Sequence, residues 1–141
     1  MQLLVVGAGE MGTWFARRSG ADEVAFADRD PETAQAAADT LGHGRAVPLD
    51  ATDSFDVVCL AVPMSAIPDA IAEHAEKATE AVVDVAGEMR NSVRALRTHA
   101  DGRERASFHP LFSRANAPGS VPVVVDHGGP TIDRIRESLT E

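Results

Sequence analysis

The first residues whose types and spacing can do chemistry are six consecutive ones near the N-terminus, Gly7-Ala8-Gly9-Glu10-Met11-Gly12. They follow an apolar run and open a segment with helical periodicity, the context in which a G-x-G-x-x-G pattern is informative. The first glycine permits a tight turn, the second lets the backbone approach a diphosphate, and the third lets helix and strand pack closely. The N–H groups at the helix start attract the negative charge of that diphosphate. The motif predicts a dinucleotide site; the alternative is a glycine-rich turn without a ligand.

An acidic residue follows this turn at the spacing that a dinucleotide site requires. Asp28 ends the second apolar run, about 20 residues after Gly7, where a carboxylate accepts hydrogen bonds from ribose hydroxyls. A 2′-phosphate would meet like charge there, and two unit charges about 4 Å apart repel by roughly 4 kcal/mol at an effective dielectric constant near 20. We therefore expect NAD rather than NADP as the cofactor. Arg29 keeps NADP open, because an arginine here can hold a 2′-phosphate.

A third candidate segment lies at the end of the strongest apolar run, where Ala61, Val62 and Pro63 stand in sequence. Small and apolar residues at the carboxyl end of a strand line the crevice in which such sheets bind ligands. Pro63 also holds the residue before it in an extended conformation. These three residues are predicted to face the nicotinamide half of the cofactor, although a proline that simply ends a strand explains the pattern equally well.

His109 is the candidate catalytic residue, because it ends an apolar run and precedes Pro110. A neutral imidazole accepts a proton near physiological pH, and general-base assistance of this kind is typically worth about 10²- to 10⁴-fold. Taken alone, a His-Pro pair at a strand end is better explained by a turn or a packed ring, and its position at the same edge as the glycine turn favours the catalytic role. His74 and His99 are expected at helix surfaces or ends, and Cys59 as a buried apolar side chain. Asp84, at the end of another strand, has either a structural or an orienting role.

These residues are separated by apolar runs and amphipathic segments that alternate along the whole chain. Such alternation predicts βαβ crossovers, and hence a doubly wound α/β domain with a mainly parallel sheet, of the Rossmann dinucleotide-binding type, over residues 1–141. Ser65 is predicted to cap the third helix. The predicted strands are Gln2 to Val6, Glu23 to Ala27, Arg45 to Pro48, Asp56 to Val62, Ala81 to Ala86, Ala106 to His109 and Val121 to Val125; the predicted helices are Gly9 to Arg18, Asp30 to Leu41, Ser65 to His74, Asn91 to Ala100 and Thr131 to Leu139.

Composition excludes several other classes of protein. The 141 residues, 44% hydrophobic and 25% charged, suit one globular domain. A net charge of −9 argues against a nucleic-acid or anionic-membrane surface, since phosphates recruit Lys and Arg. No segment resembles a signal peptide or a membrane span, so we expect a cytoplasmic protein. Lys77 is the single lysine among 13 basic residues, and this acid-rich, lysine-poor composition predicts a halophilic source, with drift in a GC-rich genome as the alternative.

Four motifs together resemble the nucleotide-binding domain of the prephenate dehydrogenase family. They are GAGEMG at residues 7–12, CLAVPM at 59–64, VVDVAG at 82–87 and HPLF at 109–112. The resemblance implies oxidative decarboxylation of prephenate or arogenate on the route to tyrosine, with hydride transfer to NAD. It also implies that His109 binds the substrate 4-hydroxyl and accepts its proton.

Two departures from the family pattern limit what the resemblance implies. The family often has a substrate-contacting serine shortly after the acid of the fifth strand, whereas no serine follows Asp84 before Ser92. An all-helical domain that dimerises and contacts the substrate carboxylates follows the nucleotide-binding domain in the family, and it is not among these residues. We therefore expect cofactor binding more directly than turnover, and a homodimer as the family's assembly.

Two other classes of function stay open from the sequence. One is a different NAD(P)- or F420-linked oxidoreductase, which shares the first two motifs but typically uses a lysine on a later helix, and Lys77 is the only lysine. The other is a non-catalytic, NAD-binding regulatory module. The presence of His109 favours the dehydrogenase over both.

Overall fold

The structure is a computed structural model that describes residues 1–85, 89–109 and 122–139. Strands and helices alternate in these residues, as the sequence pattern predicts. The strands are β1 (Gln2–Val6), β2 (Glu23–Ala27), β3 (Gly44–Ala46), β4 (Phe55–Leu60), β5 (Ala78–Val85), β6 (Glu104–Phe108) and β7 (Val123–His127). The helices are α1 (Glu10–Arg18), α2 (Pro31–Leu41), α3 (Ile67–His74), α4 (Met89–His99) and α5 (Pro130–Leu139), and 3₁₀ turns at Met64–Ala66 and Ala75–Lys77 flank α3.

The strands form one sheet in the order β3-β2-β1-β4-β5-β6-β7. Neighbouring strands are parallel from β3 to β6, whereas β7 runs antiparallel to β6. The chain therefore winds outward from β1 in one direction to β3 and in the other direction through β4 to β6. This confirms the predicted doubly wound α/β fold and places the change of winding direction between β1 and β4.

Side chains on the two faces of the sheet pack against different helices. Because side chains alternate across a strand, Leu3 and Val5 of β1 pack with α1, α2 and α5, among which Phe15 and Ile135 are fully buried. Leu4 and Val6 point the other way and pack with α3 and α4. Burial on both faces explains the continuous apolar runs of the sequence, and it leaves the ends of the strands as the place for a ligand.

Several element boundaries differ from the predictions, and the third helix and the last strand are two of them. The third helix begins at Ile67, with Ala66 as its N-cap and no side-chain cap, so the predicted capping role of exposed Ser65 is wrong. Pro68 explains this shift, since a proline lacks an N–H group and fits the first turn of a helix. The last strand begins at Val123, later than predicted, and residues 110–121 lie outside the described ranges. An apolar run does not encode strand direction, so the antiparallel pairing of β7 was not predicted.

His74 shows how a polar side chain is accommodated in the core. It ends α3, as predicted, but it is buried rather than at the surface. Its Nδ1 atom lies 3.0 Å from the Lys77 Nζ atom, which donates to the Leu49 carbonyl oxygen at 2.9 Å. Burial, and then the nearby Lys77 charge, lower the pKa of His74. The neutral ring thus accepts a hydrogen bond from the ammonium group and helps to hold the segment that carries Leu49.

Candidate functional site

The parallel strands bring all the predicted site residues to one edge of the sheet. The glycine turn follows β1, Asp28 follows β2, Ala61 follows β4 and His109 follows β6. The four strands point the same way, so their carboxyl ends share an edge. Three strand spacings, about 14 Å at roughly 4.8 Å each, separate β1 from β6. The imidazole and the glycine turn therefore lie at the same edge of the sheet, as expected, with two strands between those that carry them.

Gly7 and Gly12 are required by the protein's own packing. Gly7 has a φ angle of +99°, and a Cβ atom there would lie 2.5 Å from the Ala61 carbonyl oxygen. A Cβ atom on Gly12 would lie 2.1 Å from the Gly7 carbonyl oxygen and 2.9 Å from a Val5 methyl group. These contacts match the tight turn and the close helix–strand packing that the spacing predicts.

Gly9 differs, because nothing in the described protein requires a glycine at its position. Its φ angle of −79° suits any residue, and no atom lies within 4 Å of a Cβ atom built there. Gly9 is also the N-cap of α1, and no side chain caps the helix. The N–H groups at the start of a helix that no side chain caps, beside the open space at Gly9, suit an anion such as a diphosphate. Ala8, Glu10 and Met11 complete this turn, and Glu10 is exposed while Ala8 is buried.

Asp28 connects the end of β2 to the glycine turn. Its Oδ2 atom accepts a hydrogen bond from the Ala8 N–H group at 2.8 Å, and its Oδ1 atom accepts one from the Asp30 N–H group at 2.9 Å. These bonds fix the carboxylate beside the turn and leave one lone pair on each oxygen for a ribose hydroxyl. Arg29 is exposed at the same cleft, where it remains available to a phosphate.

Open clefts follow this edge on both sides of the turn. A cleft of about 450 Å³ lies beside Asp28, Arg29 and Val47, and one of about 500 Å³ lies beside Met64 and Ser92. A third cleft, of about 610 Å³, begins at the glycine turn and runs between α1 and α2. The first two lie on either side of the change in winding direction, where sheets of this kind bind ligands.

The segment after β4 forms the wall of the crevice between β1 and β4. The Ala61 N–H group donates to the Val6 carbonyl oxygen at 2.7 Å, so β1 and β4 stay together one residue beyond the strand end. Ala61 and Val62 are half-buried and Pro63 is exposed. These residues therefore present small apolar groups next to the glycine turn, in the arrangement expected of a nicotinamide contact.

His109 is held at the end of β6 from two sides. Its backbone N–H group donates to the Pro122 carbonyl oxygen at 2.8 Å, and its Nε2 atom lies 3.0 Å from the Ser107 hydroxyl oxygen. The ring is partly exposed, and partial burial lowers the pKa of His109. At neutral pH the ring is therefore uncharged and able to accept a proton.

Ser107 is a site residue that the sequence interpretation missed. It lies two residues before His109 in an extended strand, so both side chains project from the same face, and the period of two is the signal that identifies it. Asp84 is its register partner on β5 and is fully buried, which places a carboxyl group on the neighbouring strand at the same level. Burial, and then the Asp84 charge, raise the pKa of the Cys59 thiol, which is consistent with its predicted apolar role.

The described residues include neither a metal-ion cluster nor a membrane-spanning helix. They contain no group of three or more His, Cys, Asp or Glu side chains placed to hold a metal ion. None of the described helices is long and apolar enough to cross a bilayer. The resembling motifs VVDVAG and HPLF lie partly outside the described ranges, at residues 86–87 and 110–112.

A family model described as NADP oxidoreductase, coenzyme F420-dependent, matches residues 2–88 of the chain, more than half of its 141 residues. These residues include the glycine turn, the acid after β2 and the segment after β4. No curated protein matches significantly.

Solved structures share the fold over nearly the whole chain. Prephenate dehydrogenase from Aquifex aeolicus, in complex with hydroxyphenyl propionate and NAD⁺, is 21% identical with a TM-score of 0.75, over 99% of this chain and 56% of that one. Synechocystis arogenate dehydrogenase gives the same four values. Mycobacterium tuberculosis 3-hydroxyisobutyrate dehydrogenase is 17% identical with a TM-score of 0.75, over 98% of this chain and 50% of that one. The chain thus spans about half the length of these relatives, and the likeness at such identity establishes the fold alone.

Proposed function

We propose that this chain, which belongs to the family of coenzyme F420-dependent NADP oxidoreductases, is the nucleotide-binding domain of an NAD-dependent prephenate or arogenate dehydrogenase. The observation that carries the proposal is the pairing of an open diphosphate cradle at Gly9 with a neutral imidazole at the same sheet edge. The dehydrogenases for prephenate and arogenate that share the fold support this choice of substrate class.

The residues of the site divide the work of cofactor binding among them. Backbone N–H groups of the glycine turn and α1 would hold the diphosphate, and the Asp28 carboxylate would accept hydrogen bonds from ribose hydroxyls. Ala61, Val62 and Pro63 would pack against the nicotinamide half and keep water away from it. When bound, NAD would supply the acceptor for a hydride that leaves the substrate.

His109 would manage the one proton of the reaction. The substrate carbon that bears the 4-hydroxyl would lose a hydride, for which bound NAD would supply the acceptor, and the hydroxyl proton would pass to the His109 imidazole as the carbonyl group forms. Loss of carbon dioxide would leave its bonding electron pair in the ring, which becomes aromatic as a phenolate and takes the proton back from the imidazolium. Formation of the aromatic ring drives the reaction. The protein therefore mainly positions two reactants and accepts a proton, and both tasks fall to residues at this edge.

The geometry around Asp28 supports NAD as the preferred cofactor. Its carboxylate is fixed beside the turn, where a 2′-phosphate would meet negative charge. The family description names NADP, and exposed Arg29 offers it a partner. Calorimetry with NAD and NADP decides between them: we expect tighter binding of NAD, and tighter binding of NADP would refute this part of the proposal.

Turnover by the complete polypeptide tests the substrate assignment. His109→Asn should lower kcat for prephenate or arogenate by about 10²- to 10⁴-fold, because it removes the proton acceptor, and should leave NAD affinity unchanged. Near-normal turnover would remove His109 from the mechanism. Reduction of coenzyme F420 by NADPH with the same preparation, without activity on prephenate or arogenate, would favour the other oxidoreductase class that the family description names.

The proposal carries four further expectations about the protein. They are a role in tyrosine synthesis, a cytoplasmic location, a homodimer, and adaptation of the acid-rich surface to high salt. NAD binding without any turnover in the complete polypeptide would instead support a regulatory module.

A further inference from the structure

The Ser107 hydroxyl group lies within hydrogen-bond distance of one ring nitrogen of His109. The Ser107 Oγ atom lies 3.0 Å from His109 Nε2. Ser107 is 0% exposed, whereas His109 is partly exposed. The Nε2 atom of the ring therefore has a buried partner, whereas no hydrogen bond joins Nδ1 to the described residues.

The direction of this hydrogen bond decides whether His109 can act as a base. A neutral imidazole carries one proton, on either Nδ1 or Nε2, and a partner at one nitrogen fixes which. If Nε2–H donates to the hydroxyl oxygen, Nδ1 keeps its lone pair and can accept a proton. If the hydroxyl group donates to Nε2, Nδ1 carries the proton and cannot accept another. Only the first arrangement leaves a base at Nδ1.

We infer that Ser107 is a positioning residue that keeps the ring proton on Nε2, so that Nδ1 of His109 is the atom that takes the proton from the substrate hydroxyl. This inference rests on the proposed function for its substrate, whereas the tautomer is a property of the chain itself. Ser107 would thereby supply from β6 an orienting hydroxyl group at a site where the residues after Asp84 lack the serine that the family pattern has.

Three variants distinguish a role of Ser107 in positioning the His109 ring from a role in core packing alone. Ser107→Ala removes the hydroxyl group, and Ser107→Thr retains one on a β-branched side chain that suits a strand. Ser92→Ala is the matched control, because Ser92 is also buried and its hydroxyl oxygen has no hydrogen-bond partner among the described residues. Asp84, the buried acid on the neighbouring strand, stays unchanged in all three.

The first measurement is nitrogen NMR of the histidine rings in the 141-residue chain at about pH 8, where an ordinary histidine is neutral. In the wild type, the Nδ1 resonance of His109 should be that of an unprotonated ring nitrogen and the Nε2 resonance that of a protonated one. Ser107→Ala should mix the two tautomers, while Ser107→Thr and Ser92→Ala should keep the wild-type pattern. A wild-type ring protonated on Nδ1, or a pattern unaffected by Ser107→Ala, would overturn the inference.

The second measurement is turnover of prephenate and arogenate by the complete polypeptide. Ser107→Ala should lower kcat by about five- to tenfold, the effect of one hydrogen bond, with an unchanged KM for NAD and partial rescue in Ser107→Thr. An unchanged kcat in an active Ser107→Ala enzyme would overturn the inference. A Ser107-dependent tautomer in a protein that turns over neither substrate would refute the proposed function and leave the assignment of the ring proton standing.

Discussion

The three glycines of the turn are needed for different physical reasons. Gly7 and Gly12 lie against backbone atoms of the protein, at distances where any Cβ atom would overlap them. Among the described residues, nothing surrounds a Cβ atom built on Gly9, so the packing of the fold does not require a glycine there. A bound diphosphate would require one, because it needs close approach to the backbone.

Gly9→Ala is therefore expected to weaken cofactor binding without unfolding the protein. The new methyl group has open space and an ordinary φ angle, so the free energy of unfolding should change by less than about 1 kcal/mol. The same methyl group would occupy the space above the α1 N–H groups, and NAD affinity should fall by tenfold or more. Urea unfolding and calorimetry measure the two effects.

Gly12→Ala is the matched control for this prediction. Its methyl group would collide with the Gly7 carbonyl oxygen, so the free energy of unfolding should fall by roughly 1–3 kcal/mol, as overpacking usually costs. A Gly9→Ala protein that binds NAD as tightly as the wild type would contradict the diphosphate cradle.

At the scale of elements, a carboxylate of strand β6 fixes the start of helix α5 to the sheet. Glu104 of β6 accepts hydrogen bonds from the Ile132 N–H group at 2.9 Å and from the Thr131 N–H group at 3.4 Å. A Cβ atom on Gly129 would lie 2.5 Å from the Glu104 carboxyl carbon, which shows how closely the chain passes. The side chain satisfies N–H groups that a helix start leaves without partners.

Glu104→Ala should consequently lower the free energy of unfolding by about 1–2 kcal/mol, the usual effect of losing a helix cap. Asp133→Ala is the control, because Asp133 is an exposed acid in the first turn of the same helix and contributes only through the helix dipole. Chemical denaturation measures both. Equal losses in the two variants would show that general helix electrostatics, and not the specific cap, holds α5.

The success of the sequence interpretation varied with the range of the interactions involved. Local signals predicted β1 and β2 with correct ends and α2 to within one residue of its start, since periodicity is encoded within a few residues. The antiparallel direction of β7 and the burial of His74 depend on contacts between distant segments, which local patterns do not encode. The contact between Ser107 and His109 is partly local. Once the strand is known, the two-residue period places both side chains on one face.

At the scale of the whole molecule, titrating groups predict how stability depends on pH. Burial lowers the pKa values of His74 and His109 in the folded chain. The unfolded chain therefore binds more protons as the pH falls through about 6.5, the ordinary histidine value, and the free energy of unfolding decreases in that window. Asp22, bonded to the N-terminal ammonium group, also has a lowered pKa, and its contribution is lost only as the pH falls below about 3.8.

Protonation of His74 should account for much of the decrease in unfolding free energy that occurs before the carboxylates titrate. Its ring is buried beside the Lys77 ammonium group, so protonation would place two positive charges together. His74→Gln keeps an acceptor for Lys77 and removes the titration, so the difference in unfolding free energy between about pH 7.5 and about pH 5.5 should shrink. His43→Gln changes an exposed loop residue between two glycines and should leave that difference as it is. If instead both variants kept the wild-type difference, protonation of the buried His74 ring would not be what destabilises the fold at acid pH.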